Sequence, residues 1–157
     1  MKSFTFLAKS EADTDSLAAA LAKLLPRRAT IGLIGTLGAG KTRFVQGLAA
    51  ACGVPRGVVV SPTFVLCQEY AGERELFHFD AYRLADEDEF LALGVEEYFE
   101  RPGITLIEWS DRVPRVLPAE RIEVRIDVVD DTTRRFEITP HGRGLAHLPE
   151  ALDLALS

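Results

Sequence analysis

The chain has 157 residues, 47% of them hydrophobic and 27% charged, so a single compact domain spanning 1–157 is expected and disorder is not. Its 18 basic against 24 acidic residues give a formal net charge of −6, the wrong sign for a protein that holds DNA or RNA unaided through its phosphates. No apolar run approaches the roughly 18 residues of a membrane span; Glu11 and Asp13 come too early for a secretory signal, and Cys52 and Cys67 stand in no disulfide or zinc spacing, so a cytosolic protein is expected.

Ser3 to Ala8 alternates and predicts a first, edge strand. Ser10-Glu11-Ala12-Asp13 has the form of a capping box, and Leu17, Leu21, Leu24 and Leu25 make one apolar face of a helix running to Pro26. Thr30 to Ile34 is a short, nearly continuous apolar run, the pattern of a parallel strand buried on both faces. A glycine-rich segment, Gly35 to Gly40, leads from it into a predicted helix over Lys41 to Ala51, which Gly53 ends. Val58-Val59-Val60 reads as a strand that breaks at Ser61-Pro62-Thr63. Phe64 to Tyr70 reads as an extended segment, and Glu75 to Asp80 as another strand after the Ala71-Gly72 turn. Asp86-Glu87-Asp88-Glu89 caps a short helix closed by Gly94, and Ile104 to Ile107 is a buried strand ending at Glu108. Ile122, Val124, Ile126 and Val128 alternate with Arg121, Glu123, Arg125 and Asp127, so this strand has one wet face. Asp130-Asp131-Thr132-Thr133 turns it back into Arg134 to Thr139 as an antiparallel hairpin, and a helix beginning near Pro149 closes the chain. Residues 86–100 carry seven acids and no base; a solvated helical face is the plain reading, a docking surface for a basic partner the other.

The segment Gly35 to Thr42 fits GxxxxGK[ST], the phosphate-binding P-loop, with a strand before it and a helix after it. Gly35, Gly38 and Gly40, with Ala39 between them, let backbone N–H groups curl round a triphosphate, and the helix start adds the positive end of its dipole. Lys41 is placed to reach the β- and γ-phosphates and the Thr42 hydroxyl to hold Mg²⁺, while the amides of Thr42 and Arg43 face the α-phosphate. Mg²⁺ needs an acid from the end of a neighbouring strand, and the chain offers Asp80 and Glu108. One is expected to ligate directly or through water, the other to orient the attacking water. Thr63 has two readings of equal weight, a γ-phosphate or Mg²⁺ contact and a plain proline turn. Trp109 reads as core or as packing on the nucleotide, and His78 as structural within its hydrophobic strand. The guanine reader NKxD requires an asparagine and the sequence has none, so ATP is expected.

These features resemble one family, the TsaE (YjeE) P-loop ATPases of bacterial tRNA threonylcarbamoyladenosine synthesis. The resemblance rests on GTLGAGKT at 35–42, SPTF at 61–64, HFDAYRL at 78–84, LGVEEYF at 93–99 and IEWSDRV at 107–113, in the family's order and spacing. It implies an α/β, P-loop NTPase-like fold: a mostly parallel central sheet with antiparallel edge strands and flanking helices. It also implies Mg²⁺-dependent ATP hydrolysis in support of the TsaD–TsaB transferase complex, with tRNA met only indirectly and neither DNA nor membrane involved. By position it makes Thr42 and Glu108 the Mg²⁺ contacts, Asp80 the strand-end acid and Trp109 a neighbour of the nucleotide. The segment near Glu11 and the turn near Thr132 are implied to close over the base. One departure stands out: Thr36 occupies the second P-loop position, where the family often has aspartate.

Two other readings share the P-loop. A small-molecule kinase needs an acceptor pocket and an arginine-bearing lid, and no insertion of that kind is visible, although Arg134 and Arg135 on the hairpin imitate one. A non-hydrolysing nucleotide switch has no use for two strand-end acids that serve metal and water.

Overall fold

In the computed structural model, residues 2–36, 38–55, 57–59 and 67–157 are described. The element order among them is β1 (Phe4–Ala8), α1 (Glu11–Leu24), β2 (Arg28–Gly35), α2 (Lys41–Ala51), β3 (Cys67–Tyr70), β4 (Leu76–Asp80), α3 (Glu87–Leu91), α4 (Val95–Glu100), β5 (Gly103–Glu108), β6 (Arg121–Val128), β7 (Arg134–His141) and α5 (Leu148–Leu156). Single 3₁₀ turns lie at Ser110–Arg112 and Arg143–Leu145. The strands form one sheet in the order β1-β7-β6-β2-β5-β4-β3. Its centre, β6-β2-β5-β4, is parallel, and antiparallel pairing adds β7 and β1 on one side and β3 on the other. No helix among the described residues is long and apolar enough to cross a membrane.

Local chemistry sets the helix starts. Ser10 is the N-cap of α1 and its hydroxyl accepts from the Asp13 N–H at 3.1 Å, while the Asp13 carboxylate accepts from Lys9 N–H at 2.9 Å. This reciprocal pair satisfies two donors at the helix entrance, reaching one residue further back than the usual capping box. Helix α1 then buries Leu17, Ala18 and Leu21 against one face of the sheet, in a core shared with Phe44 and Leu48 of α2 and Leu148 and Leu152 of α5. The phenyl rings of Phe44 and Phe136 meet there with centroids 5.6 Å apart. Because successive strand residues point to opposite faces, Phe77 and Phe79 leave the other side of β4 and pack with Phe90 and Val95 of α3 and α4.

Several expectations change. Val58 and Val59 are in no strand, and Val60 to Leu66, with Ser61, Pro62 and Thr63 among them, lie outside the described residues, so the extended segment begins as β3 only at Cys67. The acidic stretch forms two short helices: the first is capped at Ala92, and Gly94, in the left-handed region at φ 77°, is the N-cap of the second. The strand over Arg121 to Val128 does have one buried face, through Ile122, Val124 and Ile126. It is nevertheless an interior strand: β6 pairs in parallel with β2 and antiparallel with β7.

The 3₁₀ turn at Ser110–Arg112 lies across β2 at Gly32. A Cβ at Gly32 would stand 2.5 Å from Ser110 Oγ and 2.9 Å from Ser110 Cβ, and Ser110 is itself buried. Gly32→Ala is therefore expected to destabilise the fold by about 1–3 kcal/mol, the usual cost of overpacking. Thermal denaturation checks this, and adding Ser110→Gly should recover much of the loss. An unchanged melting temperature in Gly32→Ala would refute the close approach.

Candidate functional site

The parallel centre brings the carboxyl ends of β2, β5 and β4 side by side. Register pairs Leu33 with Glu108 and Glu108 with Asp80, so both acids stand at one level, two residues before the end of β2 at Gly35. Crevices outside the carboxyl ends of parallel strands are where α/β proteins bind ligands. Helix α2 starts at the same rim. Its N-cap is Gly40 at φ 106°, a conformation that glycine adopts without strain, and no side chain caps its first N–H groups. Donors left open at a helix start favour an anion.

Lys41 is almost wholly buried, and its Nζ donates to Gly35 O at 2.7 Å and Thr36 O at 2.9 Å. The ammonium also lies 4.0 Å from the centroid of the Trp109 ring. Burial pushes the Lys41 pKa down, against the pull of Glu108, Asp111 and Asp80. Trp109 is placed by its backbone: at φ 63° it is the one non-glycine residue with positive φ among those described, and its N–H donates to Leu33 O at 2.9 Å. The Tyr82 ring covers it, with centroids 4.8 Å apart.

The Thr42 hydroxyl faces the buried Glu108 carboxylate at 3.5 and 3.4 Å from its two oxygens. Asp80 is 8% exposed and its Oδ1 accepts from Tyr82 N–H at 2.9 Å. Burial raises the Asp80 pKa; Glu108 raises it further, while the Tyr82 N–H, His78 and Arg83 oppose the shift. Two carboxylates and a hydroxyl beside an anion cradle suit Mg²⁺, which takes few protein ligands and completes its shell with phosphate oxygens and water. Among the described residues no group of three His, Cys, Asp or Glu forms a metal cage.

Two cavities meet at this rim. One, of about 510 Å³, is lined by Gly38, Lys41, Thr42, Asp80, Glu108 and Trp109. The other, of about 600 Å³, is lined by Glu11, Thr14, Thr132, Arg134 and Phe136, and Gly40 and Arg43 line both. Glu11 and Thr132, far apart in sequence, thus share a wall with the P-loop. Thr132 is fixed by Asp130, whose Oδ1 accepts its N–H at 2.9 Å. A further cavity of about 650 Å³, beside Arg28, Thr30 and Glu120, opens at the opposite end of the parallel strands and touches no P-loop residue.

The arginines have definite tasks. Arg43 donates to Asp15 at 2.8 Å, and its Nε lies 3.1 Å from Glu11, close enough for ion pairing though not aligned for a hydrogen bond. Arg134 is no lid: its Nε donates to Ala39 O at 3.1 Å and its Nη1 to Asp130 O at 2.8 Å, tying the P-loop to the hairpin. Arg112 donates to Tyr82 O and lies over the Tyr82 ring. Of the residues expected at the site, Thr63 lies outside the described residues. The others are at the rim or on its two cavities; Gly35, at the end of β2, holds Lys41 through its carbonyl, and Ala39, on the wall of the cavity beside Thr132, holds Arg134 in the same way. Sequence reasoning missed Tyr82 and the contact that His78 makes with Glu108; the spacing of His78 two residues before Asp80, on the same strand face, was the available signal.

A sequence model of the family described as "Threonylcarbamoyl adenosine biosynthesis protein TsaE" matches residues 8–136. The tRNA threonylcarbamoyladenosine biosynthesis protein TsaE of Bacillus subtilis is 36% identical over 153 residues, covering 97% of this chain and 95% of that protein. The protein of the same name from Nostoc is 43% identical over 140 residues, 86% of this chain and 84% of its own. The crystal structure of Bacillus subtilis YdiB superimposes with a TM-score of 0.84 at 31% identity, covering 98% of this chain and 95% of that one.

Proposed function

The chain belongs to the TsaE family of nucleotide-binding P-loop proteins, and on that premise we propose that it is the Mg²⁺-dependent ATPase that serves the TsaD–TsaB transferase complex in tRNA threonylcarbamoyladenosine synthesis. The observation that carries this reading is the convergence of Lys41, Thr42, Glu108 and Asp80 on one uncapped helix start at the carboxyl ends of parallel strands. Bound ATP would supply the scissile phosphoanhydride and Mg²⁺ the charge that neutralises its phosphates. Lys41, already held over the cradle by two carbonyls, neutralises the β- and γ-phosphates. The Thr42 hydroxyl and Glu108 would hold the cation, and Asp80 would orient the attacking water. The base would enter the cavity between Glu11 and Thr132, whose wall Gly40 and Arg43 share with the cavity lined by Lys41 and Thr42.

Hydrolysis by the isolated chain is expected to be slow. Transition-state charge calls for a further cation, and an arginine supplied by a partner contributes roughly 10³ to 10⁵ in rate. Arg43 is occupied by Asp15 and Glu11, and Arg112 by Tyr82, so neither is free to swing over the phosphates. The net charge of −6 makes direct tRNA docking unfavourable, which leaves a protein contact as the route to the RNA. Steady-state ATPase is to be measured for the chain alone, with TsaD–TsaB, and with tRNA only. Stimulation by the protein pair is expected. Strong stimulation by tRNA alone, or a fast basal rate indifferent to the pair, would overturn the assignment.

A further inference from the structure

His78 is wholly buried in β4, on the same face as the apolar Leu76 and the carboxylate of Asp80. A buried imidazole without partners is costly, so its hydrogen bonds show why it is there. Its Nε2 lies 2.5 Å from Glu108 Oε2. On the other side of the ring, Nδ1 is 3.4 Å from the Tyr70 hydroxyl, which itself donates to the Gln68 side chain. Strand pairing holds the chain of groups in place: Gln68 is opposite His78 in the antiparallel β3–β4 pair, and β4 lies in parallel beside β5, which carries Glu108. A line of polar side chains therefore runs from the sheet edge at β3 to the carboxylate that faces Thr42.

We infer that His78 is a positioning residue for Glu108. Its Nε2–H fixes Oε2, so that the carboxylate is kept facing Thr42 with Oε1 left for the cation. Left to itself, a carboxylate on a flexible side chain would swing, and at 3.4–3.5 Å the Thr42 hydroxyl is too distant to hold it firmly. Groups that orient a metal ligand from behind matter nearly as much as the ligand, and their loss typically costs about 10–100-fold in metal affinity. Tyr70 lies beside the other ring nitrogen at 3.4 Å, so the firm contact of the imidazole is the one with Glu108.

The inference rests on the reading of Thr42 and Glu108 as Mg²⁺ contacts, and the test separates the two. Binding of a non-hydrolysable ATP analogue, AMPPNP, is measured by calorimetry with and without Mg²⁺ for the wild-type chain, His78→Leu and His78→Gln. His78→Leu should lose at least about tenfold of the Mg²⁺-dependent affinity while Mg²⁺-free binding stays within about twofold. His78→Gln, whose amide nitrogen reaches the position of Nε2, should retain most of the Mg²⁺ effect. Where His78→Leu does not fold, His78→Asn replaces it, since its shorter amide stops at the Nδ1 position and should show the same loss. Wild-type Mg²⁺ dependence that survives in His78→Leu or His78→Asn overturns this inference alone. Equal losses with and without Mg²⁺ in every variant also overturn it, by marking His78 as structural. A wild-type chain whose AMPPNP affinity ignores Mg²⁺ overturns the metal reading, and this inference with it.

Discussion

Lys41→Ala loses most of its ATP affinity, at least about thirtyfold or ~2 kcal/mol, in a chain that still folds. The size follows from where the ammonium sits. It is pinned at 2.7 and 2.9 Å by the carbonyls of Gly35 and Thr36 and backed by the Trp109 ring at 4.0 Å, so it meets the phosphates already oriented. The fold survives because the two lost hydrogen bonds are offset by removal of a charge that burial disfavours, the same burial that lowers the Lys41 pKa. Lys41→Met keeps a stem of similar length and should lose affinity equally, which isolates the charge from the packing. Circular dichroism and calorimetric ATP titration decide it. A folded variant with undiminished affinity would falsify the P-loop assignment.

Glu108→Gln and Asp80→Asn should fail in different ways. Glu108 faces Thr42, so Glu108→Gln is expected to weaken Mg²⁺-dependent nucleotide binding by about tenfold or more, while Asp80→Asn chiefly lowers kcat, by roughly 10²–10⁴ if it orients water as a base does. Asp80→Asn should also raise the melting temperature of the nucleotide-free protein. Burial and the nearby Glu108 make the ionised Asp80 costly, as its raised pKa records, and asparagine keeps an oxygen to accept from Tyr82 N–H. The sign is definite. A carboxyl whose folded pKa lies above its unfolded value of 3.8 costs nothing below that pH, and its penalty develops as pH rises through the folded pKa. The stability advantage of Asp80→Asn is therefore expected at neutral pH and should vanish in acid. Binding and turnover effects found the other way round would mean that the two acids exchange roles.

What the sequence discloses about this site is what local chemistry decides. The P-loop is contiguous, its glycines and lysine are read directly, and Asp80 and Glu108 end apolar runs that can only be buried strands. Whatever depends on distant neighbours is hidden. Nothing in the alternation of Ile122, Val124 and Ile126 says that β6 will lie in parallel beside β2 rather than at an edge. One glycine, Gly94, divides the acidic stretch into two helices, and no periodicity in five- or six-residue helices announces that. His78 looks like a strand residue because it is one; only the pairing of β4 with β5 brings Glu108 to its ring. Val58 and Val59 show the converse error, since strand-forming residues make no strand there despite their propensity.

The grip of Arg134 on the Ala39 carbonyl bears on how the protein is made. The phosphate-binding motif is translated well before β6, which lies beside β2, and Arg134, which ties down the loop. A nascent chain that has exposed Lys41 but not yet the hairpin carries the motif without the braces that shape it. Nucleotide capture is thereby deferred until the hairpin has been made, and a fragment released before it holds no finished cradle in which to sequester a nucleotide.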